Sequence, residues 1–485
     1  MTIEQQIYQN SILHPDRIAL ITVEQQVTYS QLWDRCLLAS TNVRRKYGLQ
    51  KGDRIILAAA SNIDFIYAYF GIHMAGGVCV PIDPDTNQTR YELIRESTKP
   101  VCTMGALHKV EGYEVVPFND VLSPCDRWDE YQAPDPEQIA DVLFTTGTTG
   151  APKGVALNYR NMTAAALNIN TFIKNTAEDV ELLALPVSHS FGLGRVRCVL
   201  SKGGSLVLLG TFASMKKFFG QMEQFHCTGF GMVPAGWGYI KKMSGRKIGQ
   251  FADQLRYIEI GSSFMSVEDK ELLCELLPNT RICMHYGLTE ASRSAFMEFH
   301  SEHDKLNTAG TASPNVDIAI FTSDGKRQPV GGEGEVCVKG NHVTCSYWNE
   351  TPERFQKDFY DGYFRTGDSG CLDEDGYIHL KSRIKEMINV GGKKVSPMEV
   401  EDILNTIPGI TESACVAMPD PEGVMGELVQ AFIVCNDDSL TDATILEALR
   451  PKLEVYKLPA VIERISEIPK TASGKIQRLK LKIDN

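Results

Sequence analysis

The sequence predicts an α/β fold, with helix-flanked β-sheets in a large N-terminal domain and a smaller unit behind it. Two observations carry that prediction. Apolar runs of strand length alternate with segments of helical spacing, as at residues 55–60, 63–75 and 78–82; this pattern belongs to parallel sheets covered on both faces. The chain also has 485 residues, 43% of them hydrophobic and 23% charged, which is enough for more than one domain with a sizeable core.

Composition narrows the function classes. The formal net charge is −12, which disfavours non-specific nucleic-acid binding, since that needs a basic face. A nucleotide site needs only a few local cations. Thirteen cysteines are an odd number without a C-x-x-C pair, so neither a zinc spacing nor a disulfide framework is expected. The start, Met1-Thr-Ile-Glu-Gln-Gln, lacks the basic region and apolar stretch of a secretory signal. No apolar run approaches the roughly 18 residues of a spanning helix. The expectation is a reduced, soluble, cytoplasmic protein.

The elements follow in order. Val27-Thr-Tyr-Ser-Gln-Leu32 turns from a strand into a helix, with Ser30 the expected N-cap. Lys51-Gly-Asp-Arg54 is a turn before the strand at 55–60, and Gly76-Gly77 ends the helix at 63–75. Val142 to Phe144 close a buried strand that opens into Thr145, Thr146, Gly147, Thr148, Thr149 and Gly150, with Lys153 just beyond. Glycines let the backbone approach a ligand closely. Hydroxyls, backbone N–H groups and one cation then form a cradle for an anion such as a polyphosphate; a flexible surface turn is the plainer alternative. The spacing is not that of the common phosphate loop, which has four residues between two glycines and then Lys-Ser/Thr.

Residues 161–172 have helical character, and the segment 182–193 runs from a strand into a turn that places His189 beside Phe191. Arg195 and Arg197 follow on the next helix. A buried, unpaired guanidinium is costly, so Arg195 needs an acidic partner. Either a polar or second acidic group on a substrate or a salt bridge within the protein would serve. Residues 229–234 read as a pocket strand. Tyr257-Ile-Glu-Ile-Gly-Ser-Ser263 ends a strand in small residues, the place where open α/β sheets bind ligands. Residues 329–340 turn into an alternating strand, and residues 402–485 read as a compact α/β unit.

The order of residues in Thr145-Thr-Gly-Thr-Thr-Gly-Ala-Pro-Lys-Gly154 resembles the phosphate loop of the adenylate-forming superfamily. That superfamily holds acyl- and aryl-CoA ligases, peptide-synthetase adenylation domains and firefly luciferase. Met284-His-Tyr-Gly-Leu-Thr-Glu290, Thr366-Gly-Asp368, Lys381-Ser-Arg-Ile-Lys385 and Ile468-Pro-Lys-Thr-Ala-Ser-Gly-Lys475 resemble its further motifs, in order, over essentially the whole chain. Ser382 stands where the family has glycine or aspartate, a mild departure. The resemblance implies a small β-rich subdomain within an N-terminal ATP- and acid-binding domain, residues 1–383. A small mobile α+β domain, residues 384–485, would turn about Lys385.

It also implies roles. Thr145, Thr146, Gly147, Thr148, Thr149 and Lys153 would hold the phosphates of ATP. Gly261, Ser262 and Ser263 would pass along the adenine, with Tyr286 stacked on it. Thr289 would donate to the α-phosphate and Glu290 would hold Mg²⁺, a hard cation that takes oxygen ligands. Asp368 would accept the ribose hydroxyls, and Arg383 would contact phosphate and ribose. His189 would close the acid pocket beside the ATP site, and Lys475 would enter the active site for adenylation. Phe191, His285 and Arg195 become acid-pocket residues, with no base role for His285. Relatives that take α-amino acids place an aspartate near His189 to hold the ammonium; none stands between Pro186 and Arg197, so a small carboxylic acid without an α-amino group is implied.

The leading expectation is an ATP-dependent ligase that forms an acyl-adenylate and passes the acyl group to coenzyme A. A stand-alone enzyme loading the phosphopantetheine of a separate carrier protein is the close alternative, since no carrier domain follows Asn485. A non-catalytic nucleotide-binding relative is the alternative from another class. Glu290 and Lys475, present together, argue against it.

Overall fold

The computed structural model describes residues 1–125, 130–146, 152–210, 214–437, 439–471 and 475–483. The chain forms two compact units. One comprises Met1–Asp317 with Val338–Phe364, and the other Ile318–Cys337 with Arg365–Asn485.

The first unit carries two sheets. The larger has nine strands, and its centre runs Arg281–Tyr286, Tyr257–Ile260, Gly229–Met232, Val180–Leu183, Ser205–Leu208, Ile18–Ile21, all parallel neighbours. Antiparallel strands complete both edges, Ala295–Glu298 among them. The residues that make this sheet are those the alternating pattern selects. Leu182, Val207, Phe230, Ile258 and Ile282 are fully buried and pack with Phe218, Trp237 and Leu273 of the covering helices. The second sheet has six strands. Cys102–Met104, Arg54–Ala58, Val78–Ile82 and Ile139–Thr146 are parallel, and Ile139–Thr146 then folds back on Pro152–Asn158 as a hairpin.

The helix expected after Val27 begins earlier than expected. Thr28, not Ser30, is the N-cap of the helix Tyr29–Tyr47. Its side chain accepts from the Gln31 N–H, and the Gln31 side chain accepts from the Thr28 N–H. That reciprocal pair satisfies two end donors that Ser30 would leave open. The segment at 229–234 is likewise divided. The strand stops at Met232, and Pro234 begins a helix to Ser244, because proline at the first helical position gives up an N–H that has no helical partner there.

The second unit holds a small sheet, in which Ile378–Arg383 runs antiparallel to residues 368–372. Beyond it lie the ribbon Ile388–Val390 with Lys393–Val395 and the sheet of Ile410–Pro419, Glu427–Cys435 and Val461–Arg464. The helices Pro397–Leu404 and Asp442–Leu449 close this core around Val400, Leu404, Ile445 and Leu449. The domain boundary expected at 383/384 falls between the strand Ile378–Arg383 and the short turn Ile384–Glu386. Ser396 Oγ donates to the Lys381 carbonyl across it at 2.5 Å. Among the described residues no disulfide joins the cysteines, and no helix is long and apolar enough to cross a membrane.

Candidate active site

Adjacent parallel strands of the nine-stranded sheet deliver the expected residues to one rim. Tyr257–Ile260 runs out into Gly261, Ser262 and Ser263, and the neighbouring Arg281–Tyr286 runs out into Thr289 and Glu290. The strand Val180–Leu183 of the same sheet leads to His189, exposed just before the helix Ser190–Lys202, with the buried Phe191 the second residue of that helix. Carboxyl ends of parallel strands are where such sheets take ligands. Ser262 sits at φ +80°, a conformation that is strained for a side-chain-bearing residue and that clusters at functional sites.

Gly261 has a packing reason. A Cβ there would lie 2.2 Å from Cε1 and Nε2 of His285. The His285 ring meets Phe191 edge-on at 4.7 Å, and its Nδ1 stands 2.8 Å from Glu259 Oε1. Burial lowers the imidazole pKa, against the pull of Glu259, so the ring is neutral. The Arg293 and Arg195 guanidinia help to hold the fully buried Glu259 carboxyl well below the usual range, against the burial that would raise it.

The hairpin of Ile139–Thr146 and Pro152–Asn158, expected to hold phosphate, brings its own residues. Thr145 pairs with Lys153 across it, and Thr145 Oγ1 donates to the Lys153 carbonyl at 3.4 Å. Gly154 is needed there because a Cβ would meet Val142 Cγ1 at 2.9 Å and Trp348 Cβ at 3.0 Å. Of Thr146 the backbone is described as the end of the strand; the expected contacts of Gly147, Thr148 and Thr149 lie outside the described residues.

One residue joins the hairpin to the strand rim. The Tyr347 hydroxyl donates to Glu290 Oε1 at 3.0 Å, and the Lys153 ammonium lies 3.1 Å from the Tyr347 ring centroid. Lys153 Nζ is also 3.8 Å from Glu350. The Glu290 backbone is fixed by its carbonyl, which accepts from the Thr344 N–H at 2.7 Å. Neither Tyr347 nor Glu350 is among the residues expected from sequence, for they sit in an inconspicuous Ser-Tyr-Trp-Asn-Glu stretch.

Arg195 takes the second of the two courses open to it, a salt bridge within the protein: it is completely buried, and its acidic partners belong to the chain itself. Its Nε donates to Glu181 at 2.9 Å, one terminal nitrogen to Glu259 at 3.0 Å and the other to Asn175 at 3.1 Å. The clue in the sequence was a single glutamate in each of two otherwise apolar strands, Val180–Leu183 and Tyr257–Ile260. A charge in such a strand demands a buried partner.

In the second unit, Asp368 and Arg383 are cross-strand partners, with Arg383 Nε 2.9 Å from Asp368 Oδ1. Arg383 also donates to the Thr366 carbonyl at 2.9 Å. Asp368 is buried and follows Gly367, which turns at φ +75°. Lys385 is exposed in the short 3₁₀ turn Ile384–Glu386. Lys475 is exposed too; the Thr471 N–H donates to its carbonyl at 2.8 Å, and its own N–H donates to Thr471 Oγ1 at 3.1 Å.

The sheet rim, the hairpin and the motif residues define an adenylate-forming enzyme. The chain belongs to the AMP-binding enzyme family, which matches residues 9–348, and the family's C-terminal domain matches residues 399–475. Among its relatives is the long-chain-fatty-acid–CoA ligase FadD13 of Mycobacterium tuberculosis, 28% identical over 95% of this chain and 93% of that protein. Another is the oxalate–CoA ligase of Arabidopsis thaliana, 27% identical over 96% of this chain and 95% of that one. The ATP-bound structure of MatB from Rhodopseudomonas palustris shares the fold, with a TM-score of 0.89, 24% identity and coverage of 99% and 98% of the two chains.

Proposed function

We propose that the protein activates a small carboxylic acid with ATP, releasing pyrophosphate, and transfers the acyl group from the adenylate to coenzyme A. The observation that carries this reading is the chain of contacts Lys153–Tyr347–Glu290, which ties the phosphate-loop hairpin to the strand rim. The CoA-ligase relatives supply the acceptor.

A carboxylic acid with a pKa near 4 is ionised at neutral pH and needs no base. The obstacle is its repulsion by the triphosphate and the charge that builds at the α-phosphorus. One carboxylate oxygen attacks that phosphorus, and the bond to pyrophosphate breaks. Donors and cations set in advance lower such a barrier. Lys153, Thr145 and Thr289 would supply them, and Lys475 would complete them. Glu290 fits Mg²⁺: it offers carboxylate oxygens, one of them already oriented by Tyr347, and the ion would neutralise phosphate charge when bound. Gly261, Ser262, Ser263 and Tyr286 would hold the adenine, and Asp368 and Arg383 the ribose. His189, Phe191 and the neutral His285 would bound the acid. The missing aspartate between Pro186 and Arg197 argues for an acid without an α-amino group. The thiol then attacks the acyl carbon and AMP leaves.

The test is pyrophosphate release from ATP and Mg²⁺ with hydroxylamine as trap, over aryl, short, medium and dicarboxylic acids, with α-amino acids as controls. Acid-dependent release followed by CoA-dependent thioester formation is expected. ATP binding without release for any acid would overturn the reading, and thioester formation only on a carrier protein would replace the acceptor.

A further inference from the structure

Behind Thr289 lies a small internal cavity of about 20 Å³, bounded by Arg197, Arg293, Ser190, His342 and Met162 among others. It adjoins the threonine expected at the α-phosphate and the residue after His189. Two arginines facing one cavity would, taken alone, mark a pocket for an acid with a second carboxylate. Each arginine is already matched.

Arg197 pairs with the buried Asp141 and donates to the Tyr69 hydroxyl at 2.9 Å. Asp141 also meets His73 Nε2 at 3.1 Å, and His73 Nδ1 meets Glu4 at 2.9 Å. Burial alone would discharge His73, but the Asp141 and Glu4 carboxylates on its two ring nitrogens outweigh it and raise its pKa well above the usual value. On the other side, Arg293 Nε is 2.9 Å from Glu259, which also takes Arg195, itself bonded to Glu181. Among the described residues these two clusters therefore balance as four cations, Arg195, Arg197, Arg293 and His73, against four carboxylates, Glu4, Asp141, Glu181 and Glu259. His342 and His285 add nothing, because burial keeps both neutral.

We infer that the acid is a monocarboxylate with an uncharged acyl chain, and that this balanced network discriminates against dicarboxylic acids. The inference rests on the proposed adenylation of an acid at this rim. A second carboxylate would enter a buried site where, among the described residues, this network leaves no cation unmatched, and burying an unpaired charge is heavily penalised. Of the two kinds of acid named by the relatives above, the fatty acid fits and oxalate does not.

The test compares matched pairs from three to eight carbons, hexanoate against adipate for example. Two readouts are used: pyrophosphate release, and binding of the corresponding acylsulfamoyl adenosines, which bind without turnover. At each length the uncharged chain should be favoured at least about 100-fold. Charged chains bound equally or better would overturn the inference whatever the turnover. Preference for uncharged chains without release would uphold it and leave the ligase reading to fall alone. Glu259→Gln, which leaves Arg293 and Arg195 with surplus charge, should raise the diacid-to-monoacid ratio about tenfold. An unchanged ratio in the folded variant would overturn the role of the network, and if that variant does not fold, the wild-type pairs decide.

Discussion

Tyr347 shows what a single residue adds to motifs that are otherwise familiar. Its hydroxyl orients Glu290 from a position 57 residues further along the chain, while its ring faces the Lys153 ammonium. Groups that orient a metal-holding side chain commonly carry a 10–100-fold effect on metal affinity. Tyr347→Phe should therefore raise the Mg²⁺ concentration needed for half-maximal pyrophosphate release by about tenfold or more, with a smaller change in the KM for the acid; a Mg²⁺ titration checks it. Arg195 acts on stability instead. Replacing it by leucine leaves Glu181 without its cation in the core, while Glu259 keeps Arg293, and breaking a buried pair typically costs about 3–5 kcal/mol, to be read from denaturant unfolding. Motif residues such as Glu290 and Thr289 were legible in the sequence because their order is specific. The contacts around them were not, because Tyr347 reaches Glu290, and Glu181 and Glu259 reach Arg195, only through the packing of distant segments.

At the scale of elements, the sequence pattern located strands and helices well and their ends less well. The apolar runs of the parallel strands stand out because both faces are buried, whereas a helix start depends on which hydroxyl wins the cap. Thr28 wins over Ser30 through its exchange with Gln31. Thr28→Ala should cost about 1 kcal/mol, and Ser30→Ala should stay within about 0.5 kcal/mol; paired denaturation curves distinguish them. The strand end at Gly261 tests packing against function. A methyl there would sit 2.2 Å from the His285 ring, so Gly261→Ala must displace that ring. Overpacking of this kind costs about 1–3 kcal/mol. The KM for the acid should rise more than that for ATP, because the displaced ring bounds the proposed acid pocket, and steady-state kinetics with each substrate varied in turn would show the split.

For the whole molecule, charge buried in the first unit sets the response to acid. The His342 ring is pushed down to about 4 by burial alone, against about 6.5 in an unfolded chain. Between those values the unfolded state binds the extra proton, so stability is complete above pH 6.5 and falls as the pH drops toward 4. The loss between pH 7 and pH 5 is about 2 kcal/mol, and His342→Gln should flatten that limb of a stability–pH curve. The second unit carries the other whole-molecule property. A core of its own, around Val400, Leu404 and Ile445, gives a body to residues 384–485, which bear Lys385 and Lys475. The family resemblance assigns that body two tasks, adenylation with Lys475 present and thiol transfer with it withdrawn, and conformational steps of this kind gate many enzymes. The two half-reactions make opposite demands, because a cation helps a carboxylate approach the α-phosphate but has no phosphorus to stabilise once a thiol attacks the acyl carbon. Lys475→Ala should therefore slow adenylation by about 10²–10³-fold and leave transfer from preformed acyl-adenylate nearly intact. Single-turnover measurements on each half-reaction decide it: an equal loss in both would mean that Lys475 serves a shared step, and the division of labour between the two tasks would have to be abandoned.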